Sequence, residues 1–166
     1  MVSAGGRTVL ALAQSNLGVL YRDGRGVPRN EEEVVKLFRL AAGQGLSEGQ
    51  YNLGVSYDEA RGVTRNYAEA VKWYQLAAAQ GMAQAQYNLA ASYANGQGVA
   101  TNYVQSYVWL TLAGRSLELA RRMRSLVAQR MTTTQVAEAE RQAVNWQPKK
   151  AIAAENLQGV VLPGDK

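Results

Sequence analysis

Ser47–Gly81, SEGQYNLGVSYDEARGVTRNYAEAVKWYQLAAAQG, is the stretch whose reading decides the fold, because the chain says it three times. Gln14-Ser15-Asn16-Leu17-Gly18 returns as Gln50-Tyr51-Asn52-Leu53-Gly54 and again as Gln86-Tyr87-Asn88-Leu89-Ala90, at a spacing of 36 residues in both steps (14 to 50, 50 to 86). A fixed period of this size is the mark of a stacked array of supersecondary units. In the central copy Leu53, Gly54 and Tyr57 share one face at helical spacing, which predicts a first helix, A. Arg61-Gly62-Val63-Thr64-Arg65-Asn66 then loses all periodicity and reads as a turn.

Asn66 is a good N-cap for a second helix, B, and Glu69 is placed to reach back to the cap's own N–H. Asn30 with Glu33 and Asn102 with Gln105 repeat the device, and Ser47 with Gln50 reads as the same box at the head of helix A. Helix B carries Ala70, Trp73, Tyr74, Ala77 and Ala78 and stops at Gly81, as the first copy stops at Gly45, since glycine takes a left-handed cap without steric cost. Gly18, Gly54 and Ala90 leave room for helix B to approach, with Leu37, Trp73 and Trp109 expected to fill the space between helices. Such a pair is too small to bury its apolar face alone, so stacking on neighbours must supply that burial.

These residues, read as AxAQYNLGxxYxxGxGVxxNxxxAxxWYxxAAxQG, resemble the Sel1-like repeat, a relative of the tetratricopeptide repeat with a slightly longer inter-helix turn. The segment Tyr107-Val108-Trp109-Leu110 through Met131-Thr132 to Trp146 also looks like the C-terminal end of bacterial members. The resemblance implies an all-α fold, a right-handed α/α superhelix, or solenoid, of three helical-hairpin repeats plus C-terminal capping helices. The expected divisions are a lead-in at 1–10, repeats at 11–46, 47–82 and 83–116, capping helices at 117–146 and a tail at 147–166. It also implies an adaptor that binds proteins or peptides, with no activity or cofactor of its own.

Local departures refine this picture. Met1–Gly6 reads as a flexible start and Thr8–Tyr21 as helix A of the first copy. Ala60 stands where the other copies have Gly24 and Gly96; because alanine costs about 1 kcal/mol at φ > 0, helix A is expected to run on there by a residue. Leu117 is expected to begin a helix with the stripe Leu119, Met123, Leu126 and Arg130 or Met131, its arginines Arg121, Arg122 and Arg124 facing outward. Thr132 with Gln135 opens the last helix, with the stripe Val136, Ala139, Ala143 and Trp146. Gln147–Lys166 has no period.

Composition sharpens the functional reading by exclusion. The chain holds no Cys and no His among its 166 residues, which removes disulfides, thiolate sites and the commonest metal ligand and general base. No metal site is expected. No apolar run approaches the length of a membrane-spanning helix, and Met1–Gly6 lacks the apolar run of a signal peptide. The net charge of +5, with Arg115, Arg121, Arg122, Arg124, Arg130, Arg141, Lys149 and Lys150 near the C-terminus, makes nucleic-acid or acidic-partner binding the alternative to protein binding. A hydrolase of cell-wall substrates ranks below both. None of Ser47, Ser56, Ser92, Ser106, Ser116 and Ser125 has Lys three residues on, and the adjacent Asp58 and Glu59 point to different sides of a helix.

In arrays of the resembled kind the A helices line the concave side. Carrying over the groove positions of the related tetratricopeptide repeat, counted from Leu17, Leu53 and Leu89, gives Ser15, Val19, Arg22 and Asp23 in the first copy. The second gives Tyr51, Val55, Asp58 and Glu59, and the third Tyr87, Ala91, Ala94 and Asn95. Tyr51 and Tyr87 combine apolar area with a polar tip, which suits either a peptide anchor or a core position. Asn16, Asn52 and Asn88 suit either a bound peptide's backbone or a brace to the next turn. Asp58 and Glu59 sit at the helix end where the dipole disfavours anions, and a pairing with Arg22, Arg25 or Arg61 is the plain alternative to a partner.

Overall fold

A computed structural model describes residues 4–150, which are all helical or irregular. The elements among them are α1 (Ala4–Asp23), α2 (Glu31–Gly43), α3 (Ser47–Glu59), α4 (Tyr67–Ala79), α5 (Ala83–Asn95), α6 (Tyr103–Ala113), α7 (Glu118–Ala128) and α8 (Thr133–Asn145). Each helix from α1 to α6 packs on the next in sequence, and α7 and α8 both lie on α6. Three helical hairpins therefore stack in one row and the last pair covers one end, the architecture of an α/α solenoid. Helix α1 starts at Ala4, so Ala4–Gly6 are helical rather than a loose lead-in.

The caps carry the period into three dimensions. Asn30, Asn66 and Asn102 sit at φ −149°, −150° and −148° and accept the N–H of Glu33, Glu69 and Gln105 through their side chains. The expected return bond is absent: Glu33 and Glu69 turn their carboxylates to Lys36 and Lys72, one turn on. The two-way box forms at Thr132 with Gln135. At the head of α3 the expected box does not form either. The N-cap is Leu46, and the Ser47 hydroxyl bonds Glu48. Gln50 is used elsewhere: fully buried, it donates to the Ala42 carbonyl and accepts from Gln80, tying helix A to the helix B before it and the one after.

Ala60 corrects the expected helix extension. It adopts φ 59°, ψ 41° as the C-cap of α3, matching Gly24 at φ 66° and Gly96 at φ 68°. The turn that follows decides this, since Arg61 N–H must reach the Ser56 carbonyl and Asn66 N–H the Tyr57 carbonyl, bonds that Gln97 and Asn102 repeat with Ser92 and Tyr93. These hydrogen bonds hold Ala60 against its own preference. Further along, Gly62 (φ 68°) and Gly98 (φ 73°) approach the backbone of the preceding copy so closely that a Cβ would strike the carbonyls of Glu31 and Tyr67.

The inter-helix filling is shifted by one residue from expectation. Phe38 and Tyr74, not Leu37 and Trp73, lie over the small residues of helix A: a Cβ on Gly18 would meet the Phe38 ring and one on Gly54 the Tyr74 ring. Leu110 is buried in the register of Phe38 and Tyr74; in the expected register Leu37 and Trp109 are buried as well, whereas Trp73 is half-buried beside the first-copy cluster. Between copies, Leu53 joins Val34, Val35, Phe38 and Ala42 of α2, and Leu89 joins the α4 side chains Val71, Tyr74, Ala77 and Ala78. Both leucines are completely buried, a burial that stabilises by roughly 1.5–3 kcal/mol each. On α7 the buried residues are Ala120 and Val127, one position on from the expected stripe, and Leu119 and Leu126 are exposed. The small Ala120 lets α7 lie close to α6. The expected α8 stripe is as placed, with Ala139 and Ala143 buried and Trp146 edge-on to Trp109 at 6.1 Å.

Candidate partner-binding face

Helices α1, α3 and α5 are the A helices, and α1 touches α3 directly. The expected groove positions lie on these three helices. Between the first two copies, where α1 and α3 meet α2, lies a small depression of about 20 Å³, lined by Arg22, Glu31, Val34, Phe38, Asn52, Val55, Ser56 and Arg61. Arg22 and Val55, from different copies, thus meet in one depression with the amide of Asn52 between polar and apolar walls.

The remaining groove positions divide by exposure. Ser15 is only 4% exposed and offers a partner little surface. Val19, Tyr51, Val55, Tyr87, Ala91 and Ala94 are half-buried, so each presents one side outward. Asn95 and Asp23 are exposed. Asp23 is paired with Arg22 at 2.9 Å, and that hydrogen bond holds its carboxyl below the usual range. Tyr51 stacks obliquely on Tyr74 with ring centroids 6.1 Å apart. Burial raises the Tyr51 hydroxyl's pKa, with the Asn88 side chain against it. Tyr51 is therefore a packing residue that keeps part of its surface exposed.

The acidic pair at the end of α3 is spent locally. Asp58 accepts the Tyr74 hydroxyl at 3.0 Å, and Glu59 pairs with Arg61 at 2.6 Å. Tyr74 is pushed far above the ordinary tyrosine range, first by burial and then by the Asp58 charge. The two neighbouring carboxylates serve different partners rather than facing a common substrate. Tyr74 is the member of this group that spacing alone did not single out; its signal was the glycine at position 54, which faces it. Asn88 lies against both Tyr51 and Tyr74 of the copy before it, the bracing role rather than a free peptide contact.

The basic C-terminal residues are largely engaged within the fold. Arg121 and Arg122 pair with Glu118, Arg141 pairs with Glu138, and Arg115 donates to the Ala143 carbonyl. Arg124 does not face outward: its guanidinium lies over the Tyr107 ring at 5.7 Å. After α8 the chain turns back, and Lys149 N–H donates to the Ala79 carbonyl at 2.8 Å. Pro148 thereby sits beside Gly81 at the rim of a second opening, of about 320 Å³, lined also by Gln86, Arg115 and Trp146. The rest of the expected tail, residues 151–166, lies outside the described residues. No helix among them is long and apolar enough to cross a membrane.

Comparison with known proteins places this geometry. No curated protein matches the chain. Among solved structures, a Sel1 repeat protein from Oxalobacter formigenes is 35% identical with a TM-score of 0.68, over 70% of this chain and 48% of that one. A protective antigen of uropathogenic Escherichia coli displaying an SLR fold is 31% identical with a TM-score of 0.75, over 94% of this chain and 35% of that one. The chain thus spans half or less of the length of both. Sel1 repeats generally mediate protein–protein interaction, on a scaffold that is typically non-catalytic. The Sel1 repeat model matches residues 11–46, 47–82 and 83–116, which account for the period, the caps and the stacked hairpins alike, and the chain belongs to the Sel1 repeat family.

Proposed function

We propose that this protein is a non-catalytic adaptor that holds a protein or peptide along the strip formed by α1, α3 and α5. The observation that carries the proposal is the set of partly exposed side chains on these helices, with Arg22, Asn52 and Val55 of copies one and two gathered around one small depression. Tyr51, Tyr87, Ala91 and Asn95 extend it across the next copy, with Val19 at its first-copy edge and Glu59, held by Arg61, at its rim. An extended segment that carries an apolar residue suits that lining. The scaffold is preformed, so little ordering cost falls on the protein side, and affinity then rests on a few anchors.

The test is site-directed photocrosslinking from position 55, with position 126 on α7 as control, followed by titration of the captured partner with purified protein. Val55→Asp and Asn95→Arg are expected to weaken binding about tenfold or more while leaving the helical circular dichroism unchanged. A partner captured equally from both positions, or bound equally by the variants, would overturn the groove assignment.

A further inference from the structure

The first copy exposes what the other two bury. Leu53 and Leu89 are each 0% exposed, yet their counterpart Leu17 is 39% exposed; Leu76 and Leu112 are 1% and 3% exposed, yet Leu40 is 53%. Gly62 and Gly98 press on the backbone of the copy before them, whereas Gly26 has nothing within 4 Å of a built Cβ. The same positions thus carry stacking contacts in copies two and three and none in copy one. Around Leu17 the outer side of α1 adds Val9, Leu10, Leu12 and Leu20, all exposed. Five large apolar side chains exposed along one face of a single helix form a contiguous apolar surface of the kind that serves association.

We propose that this face is a homodimer interface, in which α1 packs antiparallel on α1 of a second copy about a two-fold axis. The pattern is self-complementary. Turning the helix end for end about the midpoint between Gln14 and Ser15 brings Val9 onto Leu20, Leu10 onto Val19 and Leu12 onto Leu17, apolar against apolar in every case. Ala13 and Asn16 fall at the crossing, where small side chains permit close approach. Head-to-tail growth is blocked, since α7 and α8 already cover α6 at the other end. The association therefore closes at two copies. It leaves the α3 and α5 parts of the groove open on each copy, and it stands independently of the adaptor reading.

The test uses the full chain. Sedimentation equilibrium from about 1 to about 100 µM should give twice the 18.0 kDa chain mass. Leu17→Glu and Val9→Glu, at positions already exposed in the single copy, should each weaken dimerisation about 100-fold or more, because each buries a carboxylate against a leucine of the second copy, Leu12 or Leu20, with no partner charge. Leu126→Glu on the exposed side of α7 should leave it unchanged. Because the chain has no cysteine, Ala13→Cys gives a clean second readout: oxidation should yield a covalent dimer, and Val144→Cys on α8 should not. A monomer throughout the concentration range, or a dimer that survives both α1 charge variants and crosslinks no better from position 13 than from 144, would overturn the proposal.

Discussion

Gly98→Ala should cost far more stability than the same change at Gly26, although both glycines occupy equivalent turns with φ near +75° (73° and 78°). Left-handed backbone alone penalises alanine by about 1–2 kcal/mol at either site. At Gly26 nothing else opposes the new methyl group. At Gly98 the Cβ would overlap the Tyr67 carbonyl and come within 2.7 Å of the Ala68 nitrogen. Those are backbone atoms in the first turn of α4, fixed by the Asn66 cap, so relief requires copies two and three to separate. Overpacking of this kind adds roughly 1–3 kcal/mol, for a total of about 2–5 kcal/mol at Gly98. With about 2–4 °C lost per kcal/mol in a chain of this size, Tm should fall by about 4–20 °C for Gly98→Ala and about 2–8 °C for Gly26→Ala. Urea unfolding followed by circular dichroism, with calorimetry for Tm, reads both. Equal losses at the two positions would refute the claim that the turn glycines hold successive copies in contact.

The converse substitution, Ala60→Gly, should stabilise by about 0.5–1 kcal/mol, the strain removed at φ 59° exceeding the added freedom of the unfolded chain; a midpoint unchanged or lowered in urea would contradict it. Ser106 is fully buried with its hydroxyl oxygen unpartnered, so Ser106→Ala should be neutral or stabilising by up to about 1 kcal/mol, read in the same assay. Tyr74 has its pKa raised by burial and by Asp58, so the folded state binds the proton more tightly than the unfolded one. Stability should therefore hold below the ordinary tyrosine pKa of 10.0 and fall as pH rises past it. Tyr74→Phe should shallow that fall, and an unchanged alkaline slope would count against Tyr74 as its source.

The period, the Asn caps, the glycine stops and the identity of helices A and B were legible in the sequence, because each depends on residues a few positions apart and recurs in phase. Three repetitions of Gln-x-Asn-Leu with a cap and a stop leave few ways to fold. Details that depend on a neighbouring copy were not legible. Which of Trp73 and Tyr74 faces Gly54 turns on how far helix B is rotated, and one residue of rotation exchanges core for surface. Gln50 looks like a capping residue until the preceding helix supplies a carbonyl for it to bind. Ala60 looks like a helix extension until two turn hydrogen bonds fix its φ.

The candidate groove followed the same division. Family mapping picked positions on one side of the A helices, since side-chain direction is set by helix periodicity. It could not separate Ser15, which is buried, from Val55, which lines a small depression, nor see that Asp58 is held by Tyr74 and Asn88 by two tyrosines. By itself the sequence determined the repeat, its two helices and the absence of cysteine and histidine chemistry, all of which are properties of local order and composition. Only the tertiary structure decided which faces are used up in stacking and which remain, because burial depends on what the next copy places against each residue. That dependence is why the same leucine is core at 53 and 89 and surface at 17.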